Sequence, residues 1–186
     1  KEIFAGILKA DKGEIYFTSG GTESNNTALI GAALSNRRRG EHLITTRIEH
    51  AAVSAPMKFL ASQGFCIDYL DVDSHGLIDM KQLESLLTPD TILVSIMHVN
   101  NEIGTVEPVA EAGKLIHAKV PDCLFHVDDI QGFGKLRLVP RDSYIDLLSV
   151  SSHKLHGPKG AGLLYISRRA KVSPIIYGGG QQNVFA

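Results

Sequence analysis

Three short segments carry residues whose types and spacing could do chemistry. The first, Thr18-Ser19-Gly20-Gly21-Thr22-Glu23-Ser24-Asn25-Asn26, lies between an apolar run and a helical pattern. Where a helix begins, free backbone N–H groups and the positive end of its dipole face outward. Small residues such as Gly21 let an anion approach, and a hydroxyl such as that of Thr22 adds a donor. A phosphate fits such a place, and so does a tight turn before a capped helix. The second segment, Leu124-Phe125-His126-Val127-Asp128, ends in a carboxylate and is followed by Asp129, Ile130 and Gln131. Open α/β sheets bind ligands at the carboxyl ends of their strands, which makes Asp128 a candidate contact for a cationic group; a solvated acid at a strand end is the plainer account. The third segment, residues 149–160, contains Ser151, Ser152, His153 and Lys154 just after a strong apolar run. A lysine at the end of a buried strand can lose enough solvation to lower its pKa and form a Schiff base with an aldehyde, whereas a surface lysine in a Gly/Pro loop would not.

The three segments supply different parts of one site. Pyridoxal phosphate requires a phosphate cradle, an acid at its pyridine nitrogen and a lysine for its aldehyde, and Thr22, Asp128 and Lys154 provide these in turn. Other cofactors are poorly supported. The chain contains no G-x-x-x-x-G-K-[ST] string for a nucleotide triphosphate, and Gly132-Phe133-Gly134 lacks the third glycine of the dinucleotide fingerprint.

These residues need a scaffold, and the hydrophobic pattern predicts one. Seven apolar runs read as strands, at residues 14–17, 42–46, 66–70, 91–97, 124–127, 144–150 and 162–166. Most are continuous rather than alternating, as a sheet covered on both faces requires. Helical patterns at residues 23–37, 55–62, 80–87 and 107–119 separate several of them, with Ser54 and Asp79 as N-caps. In the first helix Ala28, Leu29, Ala32 and Ala33 form the apolar stripe, and the last two strands are placed to pair as a hairpin. The expected fold class is α/β, a wound, mostly parallel seven-stranded sheet with helices on both faces. No repeat, low-complexity tract or long linker divides the chain, so residues 1–186 read as one domain.

Composition narrows the function. With 44% hydrophobic and 21% charged residues the chain can bury one sizeable core. A net charge of −1, with Arg37-Arg38-Arg39 as the single short basic cluster, offers no general attraction to nucleic acid or to an anionic membrane. No run approaches the roughly 18 to 20 apolar residues that span a bilayer, and residues 1–20 lack the pattern of a secretory signal, so a cytoplasmic protein is expected. Cys66 and Cys123 have neither a C-x-x-C spacing nor a zinc-ligand pattern and read as small core residues, and no metal site is expected.

From about residue 14 to residue 181 the sequence resembles the cysteine desulfurases of the class V aminotransferase group, which have fold type I. The resemblance runs through Thr18-Ser19-Gly20-Gly21-Thr22-Glu23-Ser24-Asn25, Glu49-His50, His98-Val99-Asn100-Asn101-Glu102-Ile103-Gly104, His126-Val127-Asp128 and Ser151-Ser152-His153-Lys154. It implies that Lys154 forms the Schiff base with pyridoxal phosphate and later moves the substrate Cα proton. Gly21 and Thr22 would hold the phosphate from the helix N-terminus, with Ser151 and His153 donating from the other side. Asp128 would pair with the protonated pyridine nitrogen, and His50 would stack on the ring and serve as acid or base. Asn101, chosen over Asn100 by alignment, and Gln131 would bond around the ring hydroxyl and the substrate carboxylate.

The implied reaction takes L-cysteine to L-alanine, with sulfur passed to an enzyme cysteine as a persulfide. In the family that cysteine lies on a loop well beyond the run Gly178-Gly179-Gly180, and neither Cys66 nor Cys123 matches it. The chain therefore reads as the cofactor-binding large domain of a desulfurase, without the family's opening segment, its small domain or the nucleophilic loop. After Gln181 the family continues with an Arg-, Gly- and Thr-containing loop, where this chain has Gln182-Asn183-Val184-Phe185-Ala186. Asp129 and Ile130 stand where small residues are common, and a second acid beside Asp128 would perturb its pairing. The resemblance also implies a homodimer and a sulfur-acceptor protein, serving iron–sulfur cluster assembly or tRNA thiolation. An aminotransferase, a selenocysteine lyase or a non-catalytic scaffold domain would share much of the same pattern.

Overall fold

The computed structural model describes residues 1–178, so Gly179, Gly180 and Gln181 of the sequence comparison lie outside the described residues. Seven strands form one sheet: β1 (Ile15–Thr18), β2 (His42–Thr46), β3 (Cys66–Leu70), β4 (Thr91–Met97), β5 (Leu124–Asp128), β6 (Leu147–Ser151) and β7 (Gly162–Ile166). Their order across the sheet is β1-β7-β6-β5-β4-β2-β3. Strands β3, β2, β4, β5 and β6 pair in parallel, and β7 runs antiparallel to both β6 and β1. The mostly parallel seven-stranded sheet expected from the sequence is present. The expected hairpin corresponds to the β6–β7 pair, joined through residues 152–161 rather than by a tight turn.

Helices α1 (Glu2–Leu8), α2 (Gly21–Asn36), α3 (Ala51–Ser62), α4 (Met80–Leu86) and α5 (Val109–Lys119) cover the sheet. Successive strand residues point to opposite faces, and each face has its own apolar cluster. On one, Ile44, Val94, Phe125, Val127 and Leu148 pack with Leu8 of α1, Leu83 of α4 and Ile116 of α5. On the other, Leu43, Leu93, Leu124 and Leu147 pack with Ala28, Leu29 and Ala32 of α2 and with Val53, Met57 and Leu60 of α3. Both faces demand apolar side chains, which is why the strands read as continuous runs. Small residues bring α2 close to its surroundings. At Gly31 an added Cβ would run into the Ser173 backbone carbonyl.

Several boundaries differ from the expected ones. Helix α1 was not anticipated by periodicity, and α2 starts at Gly21 instead of residue 23. Helix α3 begins at Ala51, four residues earlier than expected, and its N-cap is His50 rather than Ser54, with the Ala52 N–H donating to His50 Nδ1 at 3.0 Å. Pro56 lies inside α3 and leaves the Ala52 carbonyl without a donor four residues on. Asp79 caps α4 as expected, accepting from Lys81 N and Gln82 N. Helix α5 starts at Val109, because Glu107 is buried and accepts the Ile78 N–H at 3.0 Å. Strand β6 starts only at Leu147, after a 3-10 turn at Arg141–Ser143 and a left-handed Tyr144 (φ 57°).

The reading of both cysteines as core residues holds for Cys123 and is corrected for Cys66. Cys123 is buried, whereas Cys66 opens the edge strand β3 and is exposed. An edge strand has no neighbour on its outer side to cover it. Among the described residues no helix is long and apolar enough to cross a membrane.

Candidate active site

The C-terminal ends of β2, β4, β5 and β6 converge with the N-terminus of α2 on a cleft of about 170 Å³. Gly20 reaches α2 with φ 154° and ψ −175°, a conformation essentially restricted to glycine. No side chain caps the helix, so its first-turn amides keep their hydrogen-bonding capacity beside the cleft. Thr18 Oγ1 and Ser24 Oγ are hydrogen-bonded at 2.8 Å, fixing the strand end to the first turn. At Gly21 a Cβ would overlap Ile130 Cδ1 and lie 3.5 Å from Ser151 Cβ, so the absence of a side chain lets Ile130 pack against the helix start. The arrangement suits an anion.

Of the residues singled out from the sequence, Gly21, Thr22, His50, Asn101, Asp128, Gln131, His153 and Lys154 all line the cleft. Ser151 does not line it; its Oγ is hydrogen-bonded to His153 Nδ1 at 2.7 Å and so steadies that ring from behind. His50 uses Nδ1 to accept the Ala52 N–H, which leaves the proton of the neutral ring on Nε2. Lys154 closes the 3-10 turn Ser152–Lys154 that lifts the chain off β6, and it is exposed. The lysine therefore does not sit at a buried strand end as expected, because the strand stops at Ser151. Its placement, though, is on the cleft wall with Asp128 and the α2 N-terminus.

Asp128 is the buried acid of the site, 4% exposed. Its Oδ2 accepts from Asn25 Nδ2 at 2.7 Å, and its Oδ1 accepts the Ile130 N–H at 3.0 Å. Burial pushes its carboxyl above the usual range, and the two donors and His50 oppose that push. A cationic ligand group in the cleft would add to the forces that favour the charged carboxylate. The second acid, Asp129, turns to a different partner and is bonded to His98 Nδ1 at 2.6 Å, with burial raising its pKa and His98 lowering it. That bond ties the loop after β4, which carries Asn101, to the loop after β5, which carries Gln131.

Sequence reasoning gave no separate role to three groups that shape the site. Asn25 is fully buried, in register with Ala28 and Leu29 on the inward stripe of α2; a polar residue on an apolar stripe was the available signal. Glu49 has its carboxyl inside the structure, where Oε1 accepts from Thr46 Oγ1 and from Met97 N, both at 2.9 Å, and Oε2 has no partner. Burial first, and then the Asp128 charge, push its pKa up to about 8. One layer beneath the cleft, His126 spans three strands through Ser95 at 2.8 Å and Ser149 at 3.0 Å; burial pushes its pKa down to about 3, so the ring is neutral. Nothing in residue spacing marks Glu49 or the His126 row, since both depend on which strands are neighbours.

An anion cradle at a helix N-terminus, a buried acid and a lysine on one cleft at the carboxyl edge of an α/β sheet can hold a phosphorylated, basic aromatic aldehyde, and define a site for carbonyl–amine chemistry. Among the described residues no group of three or more His, Cys, Asp or Glu side chains is placed to hold a metal ion. The family model described as "Aminotransferase class-V" matches residues 1–185, and the chain belongs to that family. It is 50% identical over 181 residues to the "Putative cysteine desulfurase IscS 1" of Bacillus subtilis (strain 168), covering 97% of this chain and 47% of the relative. It is 46% identical over 182 residues to the "Cysteine desulfurase IscS" of Clostridium botulinum (strain Kyoto / Type A2), covering 98% of this chain and 45% of the relative. A solved structure titled "NIFS-LIKE PROTEIN" superposes with a TM-score of 0.94 at 42% identity, over 97% of this chain and 50% of that one. Another, titled "SspA in complex with cysteine", superposes with a TM-score of 0.91 at 44% identity, over 97% of this chain and 52% of that one. The chain thus spans about half the length of the relatives it matches.

Proposed function

We propose that this chain is the cofactor-binding large domain of a pyridoxal-phosphate-dependent cysteine desulfurase, which converts L-cysteine to L-alanine and passes the sulfur to an enzyme cysteine. The observation that carries the proposal is the meeting of the uncapped α2 N-terminus, Asp128 and Lys154 on one cleft. The residues fit the cofactor. Gly21 and Thr22 bring the uncapped start of α2 to the cleft wall, and Asp128 is a buried acid whose carboxylate lacks a Lys or Arg partner among the described residues. When bound, the cofactor supplies an electron sink for the charge that develops at the substrate Cα.

In this reading the amides of Gly21 and Thr22 would bind the phosphate together with His153, whose ring Ser151 Oγ steadies. Asp128 would hold the ring nitrogen in its protonated form, His50 would present its ring and Nε2 proton at the cleft, and Asn101 and Gln131 would orient ring hydroxyl and substrate. Lys154 would hold the aldehyde carbon and move the substrate Cα proton. The sulfur-accepting group would come from the remainder of the full-length protein. Cys123 is buried with its thiol pKa pushed up to about 12, and Cys66 sits at the N-terminal end of β3, the edge of the sheet away from the cleft. The printed names and titles of the relatives support this substrate, and a homodimer belongs to the reading as the family resemblance implies. A cytoplasmic enzyme handing sulfur to an acceptor protein completes the reading.

The test is a visible spectrum of the full-length protein with pyridoxal phosphate, followed by borohydride reduction and peptide mapping. A covalent adduct at Lys154 that disappears in Lys154→Ala is expected. A persistent adduct at another lysine would overturn the assignment.

A further inference from the structure

Helix α2 does two things at the cleft. Its N-terminus offers amides to an anion at Gly21, and one turn later, on the same face, Asn25 reaches the acid of β5. The rise between the two positions is about 6 Å at 1.5 Å per residue, so one rigid element sets both the phosphate end and the ring-nitrogen end of the site. The Asn25–Asp128 bond joins two buried side chains, 0% and 4% exposed. Each Asp128 oxygen receives one N–H, from Asn25 and from Ile130. The other ionisable groups that bear on it are His50 after β2, Glu49 beside it, and Asp129 next in the chain. Of these only His50 favours the charged carboxylate, so the two N–H donors are the main support for the anion.

Packing alone does not explain the asparagine. Its Oδ1 is buried with no partner among the described residues, a cost that an apolar side chain on the stripe of Ala28 and Leu29 would avoid. The carboxamide is oriented by the charge it serves, because only its NH₂ end can face a carboxylate. We infer that Asn25 is a positioning residue for the cofactor's ring-nitrogen acid, keeping the Asp128 carboxylate charged and aimed from the same helix that cradles the phosphate. The inference rests on the proposed function.

The test compares the full-length wild type with Asn25→Leu, which removes the donor and keeps the same branching and number of side-chain heavy atoms, and Asn25→Asp, which is isosteric and can donate only while it holds a proton. In cofactor-free protein, ¹³C NMR of the Asp128 carboxyl should show its midpoint rising by about one to two pH units in Asn25→Leu, the equivalent of one lost hydrogen bond to a charged group. Affinity for pyridoxal phosphate should fall roughly tenfold to a hundredfold. In Asn25→Asp the affinity should acquire an alkaline fall that the wild type lacks, as the shared proton leaves. An unchanged Asp128 midpoint in folded Asn25→Leu overturns the inference. If the Leu variant does not fold, an Asp variant with wild-type affinity at every pH overturns it equally. A wild-type protein that binds no pyridoxal phosphate and forms no adduct at Lys154 overturns the proposed function instead.

Discussion

Replacing Glu49 with glutamine should make the protein's stability less dependent on pH. The carboxyl lies inside the structure at the ends of β2 and β4, with its pKa pushed up from 4.5 to about 8 by burial and by Asp128. Between those two values the folded chain holds the Glu49 proton and the unfolded chain has released it. Stability contributed by this group is therefore complete at low pH and is lost as pH rises, at about 1.4 kcal/mol per unit. From pH 5 to pH 7 the loss is about 3 kcal/mol. Glutamine keeps an Oε1 that accepts from Thr46 and Met97 and has no proton to lose, so its variant lacks this slope. Titrating groups remote from Glu49 cancel in the difference, whereas Asp128, whose charge bears on Glu49, does not. Urea unfolding of the cofactor-free full-length proteins, at fixed ionic strength and pH 5, 6 and 7, should find the two within about 1 kcal/mol at pH 5 and the variant ahead by about 3 kcal/mol at pH 7. A gap that does not widen with pH would mean that Glu49 is ionised in the native protein, and the argument from its burial would fail.

Other outcomes follow from single contacts. Gly21→Ala places a methyl on Ile130 Cδ1 and should weaken pyridoxal phosphate binding at least tenfold; Gly21→Ala with Ile130→Val, which lacks that carbon, should recover part of it in a spectroscopic titration. If the double variant binds no better than the single, the cleft is not set by this contact. A thiol reagent should modify Cys66 in the native protein and reach Cys123 only on unfolding, since the one is exposed and the other is buried with its pKa pushed up to about 12. Equal rates for both, followed by mass spectrometry of the peptides, would contradict the described burial.

The strands and their order of succession were readable because Leu124 and Phe125, neighbours in sequence, each have an apolar cluster to enter. Helix ends were less so. His50 is an uncommon N-cap, and Pro56 inside α3 imitates a helix start, so the sequence places that helix four residues late. Helix α1 is seven residues long, has no side chain capping its N-terminus, and stops at a left-handed lysine, Lys9 (φ 51°), in place of the usual glycine. At the site, the three motifs located Thr22, Asp128 and Lys154 on the cleft, and the family resemblance added His50, Asn101, Gln131 and His153. Motif spacing missed the buried set behind them, Asn25, Glu49 and His126, whose meaning comes from partners 103, 48 and 31 positions away. Lys154 shows the opposite limit, for its exposure depends on where β6 releases the chain.

The pairing of β1 with β7 has a further consequence for how the fold is reached. Ile15 lies opposite Tyr165, so the first strand of the sheet has no hydrogen-bonding neighbour until nearly all of the other strands exist. The central parallel strands assemble through shorter sequence separations, whereas closing β1 onto β7 encloses the whole intervening chain. During synthesis β1 must wait, and α2, fixed to it through Thr18 and Ser24, takes its final position at the cleft with it. Since Ser24 Oγ also donates to the Leu163 carbonyl of β7 at 3.1 Å, the anion cradle is completed by the last strand to arrive. Binding competence is thereby tied to completion of the sheet, and a nascent chain lacking β7 would display the Thr18–Asn26 motif without the geometry that gives it use.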